Sequence, residues 1–171
     1  MTSGSSRIAR VTTVAAVYDR RVRRSQSAAT TRTPNFPECP AWFNEGLASL
    51  YEQSSTKNGR IHGKINWRYK ALEQAIKDRK LISFEQLTAT SDEAFYGGNN
   101  NPNYNQHYAQ ARYLCYYLQE QGLLINFYKQ YVTGAKSDPT GVQSLKTVLG
   151  DPDLKSFQVK WEKFVLGLKV E

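Results

Sequence analysis

A glutamate within a short aromatic segment is the residue of this sequence best placed to do chemistry. Glu45 lies in the stretch Ala-Trp-Phe-Asn-Glu-Gly-Leu-Ala-Ser-Leu-Tyr, residues 41–51, just after Pro40. Proline suits a helix entrance, so the stretch is predicted to be helical. Helical spacing puts Glu45 on a face beside the apolar one, which comprises Phe43, Leu47, Leu50 and Tyr51. Periodicity alone favours a solvent-facing carboxylate on an amphipathic helix.

The residue after this glutamate is unusual for a helix. Gly46 follows Glu45 directly, and glycine in a helix interior costs about 1 kcal/mol relative to alanine. That cost predicts a structural reason, such as the close approach of another helix.

The segment resembles part of a known family of enzymes. Pro-x-Trp-Phe-Asn-Glu-Gly-Leu-Ala-x-x-Tyr, residues 40–51, is similar to the third-ligand helix of gluzincin zinc metallopeptidases, especially the peptidase-MA-like domains of bacterial proteins. The resemblance covers residues 36–168 and implies the helical C-terminal portion of a thermolysin-like domain. It also implies that Glu45 corresponds to the glutamate zinc ligand, and that intact relatives hydrolyse peptide bonds with zinc-activated water.

A second stretch agrees with this resemblance. Residues 104–118, from Tyr104 to Leu118, resemble the helix that follows the active-site loop in gluzincins. There a tyrosine near the helix start stabilises the tetrahedral oxyanion, and Tyr108 is the best match, with Tyr104 and His107 as fallbacks. Aromatic residues at this spacing also pack in cores, so the role of Tyr108 rests on the resemblance.

The histidine pair of the gluzincin plan is missing. Catalytic zinc needs about three protein ligands, two of them from a His-Glu-x-x-His helix whose glutamate is the general base. The family layout puts that helix near residues 20–28, where this sequence is arginine-rich, and the only histidines are His62 and His107. The resemblance assigns neither to a metal. We therefore expect zinc in intact relatives and none in this chain, with Glu45 as a vestigial ligand.

A change of composition accompanies the missing helix. Residues 1–35 contain seven arginines, one acid and no lysine, whereas the rest contains 12 lysines and four arginines. The chain is therefore predicted to comprise a disordered or aberrant arginine-rich segment, 1–35, and a partial helical domain, 36–171. Without its front half, the domain is expected to expose Trp42 and Phe43 as an apolar patch.

Most of the domain that carries these residues is predicted to be helical. Hydrophobic periodicity and turn residues predict a mainly α fold, without a convincing strand and with a loop at 97–103. Ser83 and Gln86 have capping-box spacing, and Gly122 and Gly150 are placed to end helices. The predicted longer helices are 42–53, 67–79, 106–121, 123–132, 140–149 and 153–168.

Composition and charge limit the possible partners. The net charge of +8 comes mostly from residues 1–35, and aromatic residues do not interleave with those arginines, so nucleic acid is a poor fit as a partner. No apolar run is long enough to cross a bilayer. Cys39 and Cys115 could pair or stay free. Intact relatives allow an exported or cell-envelope location, and their partner would be a peptide or protein substrate.

The sequence leaves two main interpretations. The first is a truncated or degenerate metallopeptidase-like protein that is inactive as written, because it lacks the histidine pair and the general-base glutamate. The alternative is a non-catalytic helical module that binds other proteins.

Overall fold

The computed structural model describes residues 38–96 and 104–169. The arginine-rich segment 1–35, predicted to be disordered or aberrant, and the loop predicted at 97–103 lie outside the described residues. The helices are α1 Ala41–Leu50, α2 Arg68–Lys77, α3 Phe84–Ala89, α4 Asp92–Tyr96, α5 Tyr104–Glu120, α6 Leu124–Gly134, α7 Val142–Leu149 and α8 Leu154–Leu166. The mainly α fold is confirmed for this part of the chain.

The prediction that the chain has no strand is wrong. Strands β1, Ser54–Lys57, and β2, Arg60–Gly63, form an antiparallel hairpin directly after α1. Asn58 and Gly59 connect them with φ angles of 52° and 71°, the left-handed pair that a tight two-residue hairpin turn requires. All four residues of β1 are exposed, so the hairpin has no apolar alternation that would reveal it in the sequence.

Helix ends follow the capping chemistry that the sequence predicts. The Ser83 side chain accepts a hydrogen bond from the Gln86 backbone N–H, and the Gln86 side chain bonds back to the Ser83 N–H, a complete capping box. Gly122 and Gly150 have φ angles of 70° and 63° just after α5 and α7. A left-handed residue at these positions satisfies the last carbonyls of a helix and lets the chain turn away.

The long helix α5 is the centre of the packing. Its described side chains between Ala109 and Cys115 are all buried, with α1, α2, α6 and α8 packed around it. Helix α8 contributes Trp161, whose Nε1 donates to the Tyr113 carbonyl oxygen at 3.1 Å. The core therefore fixes the position of α1, which carries Glu45, relative to α5, which carries Tyr108.

Candidate functional site

Glu45 is half-buried and bonded to a tyrosine from a different helix. The Tyr96 hydroxyl, at the end of α4, donates to Glu45 Oε1 at 2.9 Å. The backbone carbonyl of Glu45 accepts from the Ser49 hydroxyl at 2.6 Å. The carboxylate is therefore held at the contact between α1 and α4, in a hydrogen bond that is exposed to solvent.

Gly46 explains how α1 can lie so close to α5. A Cβ atom on this glycine would stand 2.6 Å from the Ala111 carbonyl oxygen and 2.8 Å from Cys115 Sγ. Both distances are shorter than a carbon atom tolerates, so only glycine fits without displacing the helices. The expectation that another helix approaches Gly46 is confirmed.

A buried arginine fastens the end of α1 to α5. Arg112 is 0% exposed and donates to the carbonyl oxygens of Ser49 at 3.0 Å and Leu50 at 3.4 Å. Its Nη2 also donates to the Lys64 carbonyl oxygen. Burial lowers the pKa of the Arg112 guanidinium. The bonds to Ser49 and Leu50 satisfy carbonyls at the C-terminus of α1, which have no partner within the helix.

The expected exposure of Trp42 and Phe43 is wrong. Their exposed fractions are 1% and 2%, and both rings pack on Phe127 of α6, with centroid distances of 5.4 and 4.8 Å. Trp42 Nε1 also donates to the Thr140 carbonyl oxygen at 2.9 Å. Helix α6 and the segment before α7 cover the face that was expected to lie open.

The candidate oxyanion residues lie at and near the start of α5. Tyr108 is half-buried, with its ring centroid 5.1 Å from that of Phe95. His107 is 8% exposed, and burial lowers the pKa of its imidazole. The third candidate, Tyr104, is the first residue of α5. Because Phe95 touches Tyr108 and the next residue along the chain bonds Glu45, the short helix α4 links the two halves of the predicted site.

His62 bonds side chains at the C-terminal end of α5. Its Nε2 is 2.9 Å from Glu120 Oε1, and the Gln119 side-chain amide is 3.2 Å from the same nitrogen. Gln119 also bonds the backbone N–H and carbonyl of Gly63 at 2.8 and 3.0 Å. His62 therefore takes part in docking the hairpin on the C-terminal end of α5.

The described side chains do not fit a catalytic zinc ion. Within residues 38–96 and 104–169, no group of three His, Cys, Asp or Glu side chains could hold a metal. The Glu45 carboxylate accepts from the Tyr96 hydroxyl, while His62 bonds at the far end of α5. Glu45 and His62 therefore have different hydrogen-bond partners, on α4 and at the C-terminal end of α5.

The two cysteines are buried and are not joined by a disulfide bond. Burial raises the pKa of the Cys115 thiol, and a thiol whose pKa is raised is a poor nucleophile. Cys115 is therefore a core residue, and its sulfur packs where Gly46 leaves room.

The sequence does not indicate a role for Tyr96, whose hydroxyl donates to Glu45, the predicted zinc ligand. Tyr96 lies outside both stretches that carry the resemblance, and α4 has only five residues. The only local signal is the Ser-Asp-Glu sequence at 91–93, which is typical of a helix start. In the structure the Ser91 hydroxyl accepts from the Ala94 N–H at 3.2 Å.

Comparison with known protein families gives one match. A family described as "Protein of unknown function (DUF1570)" matches residues 14–140, most of the chain. The chain belongs to the DUF1570 family. The matched residues of DUF1570 include α1, the hairpin and α2 to α6, and so contain both Glu45 and Tyr108. No curated protein and no solved structure matches the chain.

The helices are too short or too polar to be membrane spans. Within residues 38–96 and 104–169, none combines the length and the apolar character needed to cross a bilayer.

Proposed function

We propose that this DUF1570 protein is a degenerate zinc-metallopeptidase-like protein, in which the helical frame and the ligand position of the ancestral site persist without hydrolytic activity. The observation that carries the proposal is the placement of Glu45. Glu45 is half-buried, and its carboxylate accepts a solvent-exposed hydrogen bond from the Tyr96 hydroxyl of a second helix.

The packing around Glu45 supports an architectural role for the motif. Because Gly46 has no Cβ atom, the α5 backbone can lie directly against it. Trp42, three residues before Glu45, is buried against α6. Gly46 and Trp42, which flank Glu45 in the gluzincin-like motif, therefore pack α1 against α5 and α6. They fix the direction in which the Glu45 side chain leaves α1, as a ligand helix must do.

The histidines support the loss of activity. A single carboxylate is a weak zinc site, because zinc in catalytic sites takes about three protein ligands. The sequence contains two histidines, of which His62 bonds Glu120 and His107 is buried on α5. Without metal, a water molecule keeps a pKa near that of bulk water and is a poor nucleophile at neutral pH.

Peptide hydrolysis by the purified full chain tests this proposal. A mixture of unstructured peptides is incubated with the chain in the presence of added zinc, and new termini are counted by mass spectrometry. We expect no cleavage above that given by the variants Glu45→Ala and Tyr108→Phe. Cleavage that requires added zinc and disappears in Glu45→Ala would overturn the proposal.

A further inference from the structure

The hairpin of β1 and β2 has one edge that meets a helix and one edge that faces solvent. On the β2 side, the Gln119 side-chain amide bonds the Gly63 N–H at 2.8 Å and the Gly63 carbonyl oxygen at 3.0 Å. On the other side, all four residues of β1 are exposed, and β2 is the only strand that pairs with β1 within residues 38–96 and 104–169. Strand β1 is therefore a solvent-facing sheet edge.

The register of the hairpin shows which backbone groups of β1 point away from β2. Lys57 pairs with Arg60 across the two-residue turn, and the pair that closes such a turn exchanges both backbone hydrogen bonds. Bonded and non-bonded pairs alternate along an antiparallel ladder, so the N–H and C=O groups of Ser54 and Thr56 point outward. Gly63, the partner of Ser54, likewise directs its N–H and C=O away from the other strand. Across the described part of the chain, no other backbone group bonds the outward groups of β1.

Charges on the hairpin indicate the charge of a partner. Lys57 and Arg60 lie directly opposite each other, a pairing that is unfavourable because like charges repel. Residues 54–64 contain a third cation, Lys64, and neither Asp nor Glu. The ion pairs found among the described residues leave all three cations without an acid. An acidic side chain placed beside Lys57 would relieve the repulsion.

The opposite face of the hairpin offers an apolar surface. Thr56 lies opposite Ile61, and Ile61 is 45% exposed. Side chains alternate between the two faces of a strand, so a strand added beside β1 would place one side chain on the face of Ile61 and the next on the face of Lys57. An extended segment in which apolar and acidic side chains alternate fits both faces.

Charge and backbone chemistry argue against other occupants of this edge. Residues 1–35 carry seven arginines and one acid, so they would bring more positive charge to the hairpin. The hairpin of a second copy would do the same. A nucleic acid matches the charge but has no peptide groups with which to continue the ladder of hydrogen bonds.

We propose that the edge of β1 binds an extended acidic segment of another protein, which adds to the hairpin as a third strand. The backbones of Ser54 and Thr56 form the ladder hydrogen bonds with it. Acids of the segment lie on the face of Lys57 and Arg60, and its apolar side chains lie on the other face. Lysine on an edge strand disfavours pairing with uncharged or basic strands, so charge selects the partner. This surface does not depend on the proposed degenerate peptidase site.

Fluorescence anisotropy of a labelled peptide of about six residues, a usual strand length, tests this surface on the full chain. Glu and Val alternate in the peptide, and the comparison peptide has the same residues with every backbone nitrogen methylated. Methylation removes the N–H donors but keeps the charge. We therefore expect saturable binding of the first peptide and at least about tenfold weaker binding of the second, the effect of losing two ladder bonds. Equal binding of both peptides would mean attraction by charge alone and would overturn strand addition.

Two variants test the residues of the edge. Thr56→Pro removes an outward N–H and keeps the bonds to β2, a position where an edge strand tolerates proline, so we expect at least about fivefold weaker peptide binding. Lys57→Gln keeps the backbone and loses one charge, which should weaken binding about two- to fivefold. Lys136→Gln, at an exposed lysine after α6, is the matched control and should bind as the native chain does.

The variants also distinguish the kinds of partner. Unchanged peptide affinity in both Thr56→Pro and Lys57→Gln would contradict the proposal. If Lys57→Gln weakened the binding of a DNA duplex and left that of the peptide unchanged, the partner would be a nucleic acid and the proposal would be wrong.

Discussion

Gly46 lies so close to Ala111 that a Cβ atom added to the glycine would stand 2.6 Å from the Ala111 carbonyl oxygen. This contact decides how α1 meets α5 and therefore where the neighbouring Glu45 carboxylate lies. The glycine that is unfavourable for an isolated helix is required by the packing of two helices.

Gly46→Ala is the first test of this packing. Alanine should gain about 1 kcal/mol of intrinsic helix propensity, but overpacking costs about 1–3 kcal/mol in a filled core. Because the clash involves backbone atoms of α5, we expect net destabilisation, measured by urea unfolding. Gly134→Ala is the matched control, since a Cβ there would meet nothing within 4 Å. It should be neutral or stabilising, and equal effects of the two changes would contradict the close contact.

Arg112→Met tests the buried clamp between α1 and α5. The variant keeps an unbranched side chain of similar length but loses the hydrogen bonds to the Ser49, Leu50 and Lys64 carbonyls. Hydrogen bonds to charged groups contribute about 1.5–3 kcal/mol each, so we expect a loss of at least about 2 kcal/mol in the free energy of unfolding. Arg60→Met, at an exposed position, should change it by less than about 0.5 kcal/mol. A stable Arg112→Met chain would show that the clamp is dispensable.

Trp42→Phe tests the burial of the α1 face. The variant loses the hydrogen bond from Nε1 to the Thr140 carbonyl and leaves a cavity against Phe127. We expect a loss of about 1–3 kcal/mol, measured by thermal or urea unfolding. Trp67→Phe, at a position 70% exposed, should have little effect on stability. If Trp67→Phe were the more destabilising of the two, the assignment of the buried tryptophan would be wrong.

Stability should depend on pH through His107. Burial lowers the pKa of its imidazole in the folded chain, while the unfolded chain has a histidine pKa of about 6.5. The unfolded state therefore binds a proton first as the pH falls, so the contribution to stability is complete above about pH 6.5 and is lost below it. We expect His107→Phe to reduce the fall in unfolding free energy between about pH 7 and pH 5. An identical pH dependence in the variant would show that His107 is not responsible.

The sequence predicts those parts of the fold that local chemistry controls. The capping box at Ser83 and the glycine ends at Gly122 and Gly150 are confirmed, since each depends on residues close in sequence. The hairpin escapes prediction because β1 has no buried face, although Asn58-Gly59 is itself a strong turn signal. The lack of alternating apolar residues in β1 argues against a strand, and in the prediction it outweighs the turn signal of Asn58-Gly59.

In the candidate site too, features set by neighbouring residues can be predicted, whereas contacts between distant residues cannot. The close approach at Gly46 follows from helix propensity, so it can be foreseen. The bond between Tyr96 and Glu45 joins residues 51 positions apart, and nothing near either residue indicates it. The burial of Trp42 likewise depends on Phe127 and Thr140, far along the chain. Long-range contacts of this kind are set by the assembled core.

The zinc content of the purified full chain, made without a metal-binding tag, decides whether Glu45 still holds a metal. The native chain and Glu45→Ala are equilibrated with zinc, freed of excess metal by gel filtration, and analysed for metal per chain. For a degenerate site we expect far less than one zinc per chain in both, with no difference between them. One zinc per native chain that is lost in Glu45→Ala would show that the site is intact and that the proposed function is wrong.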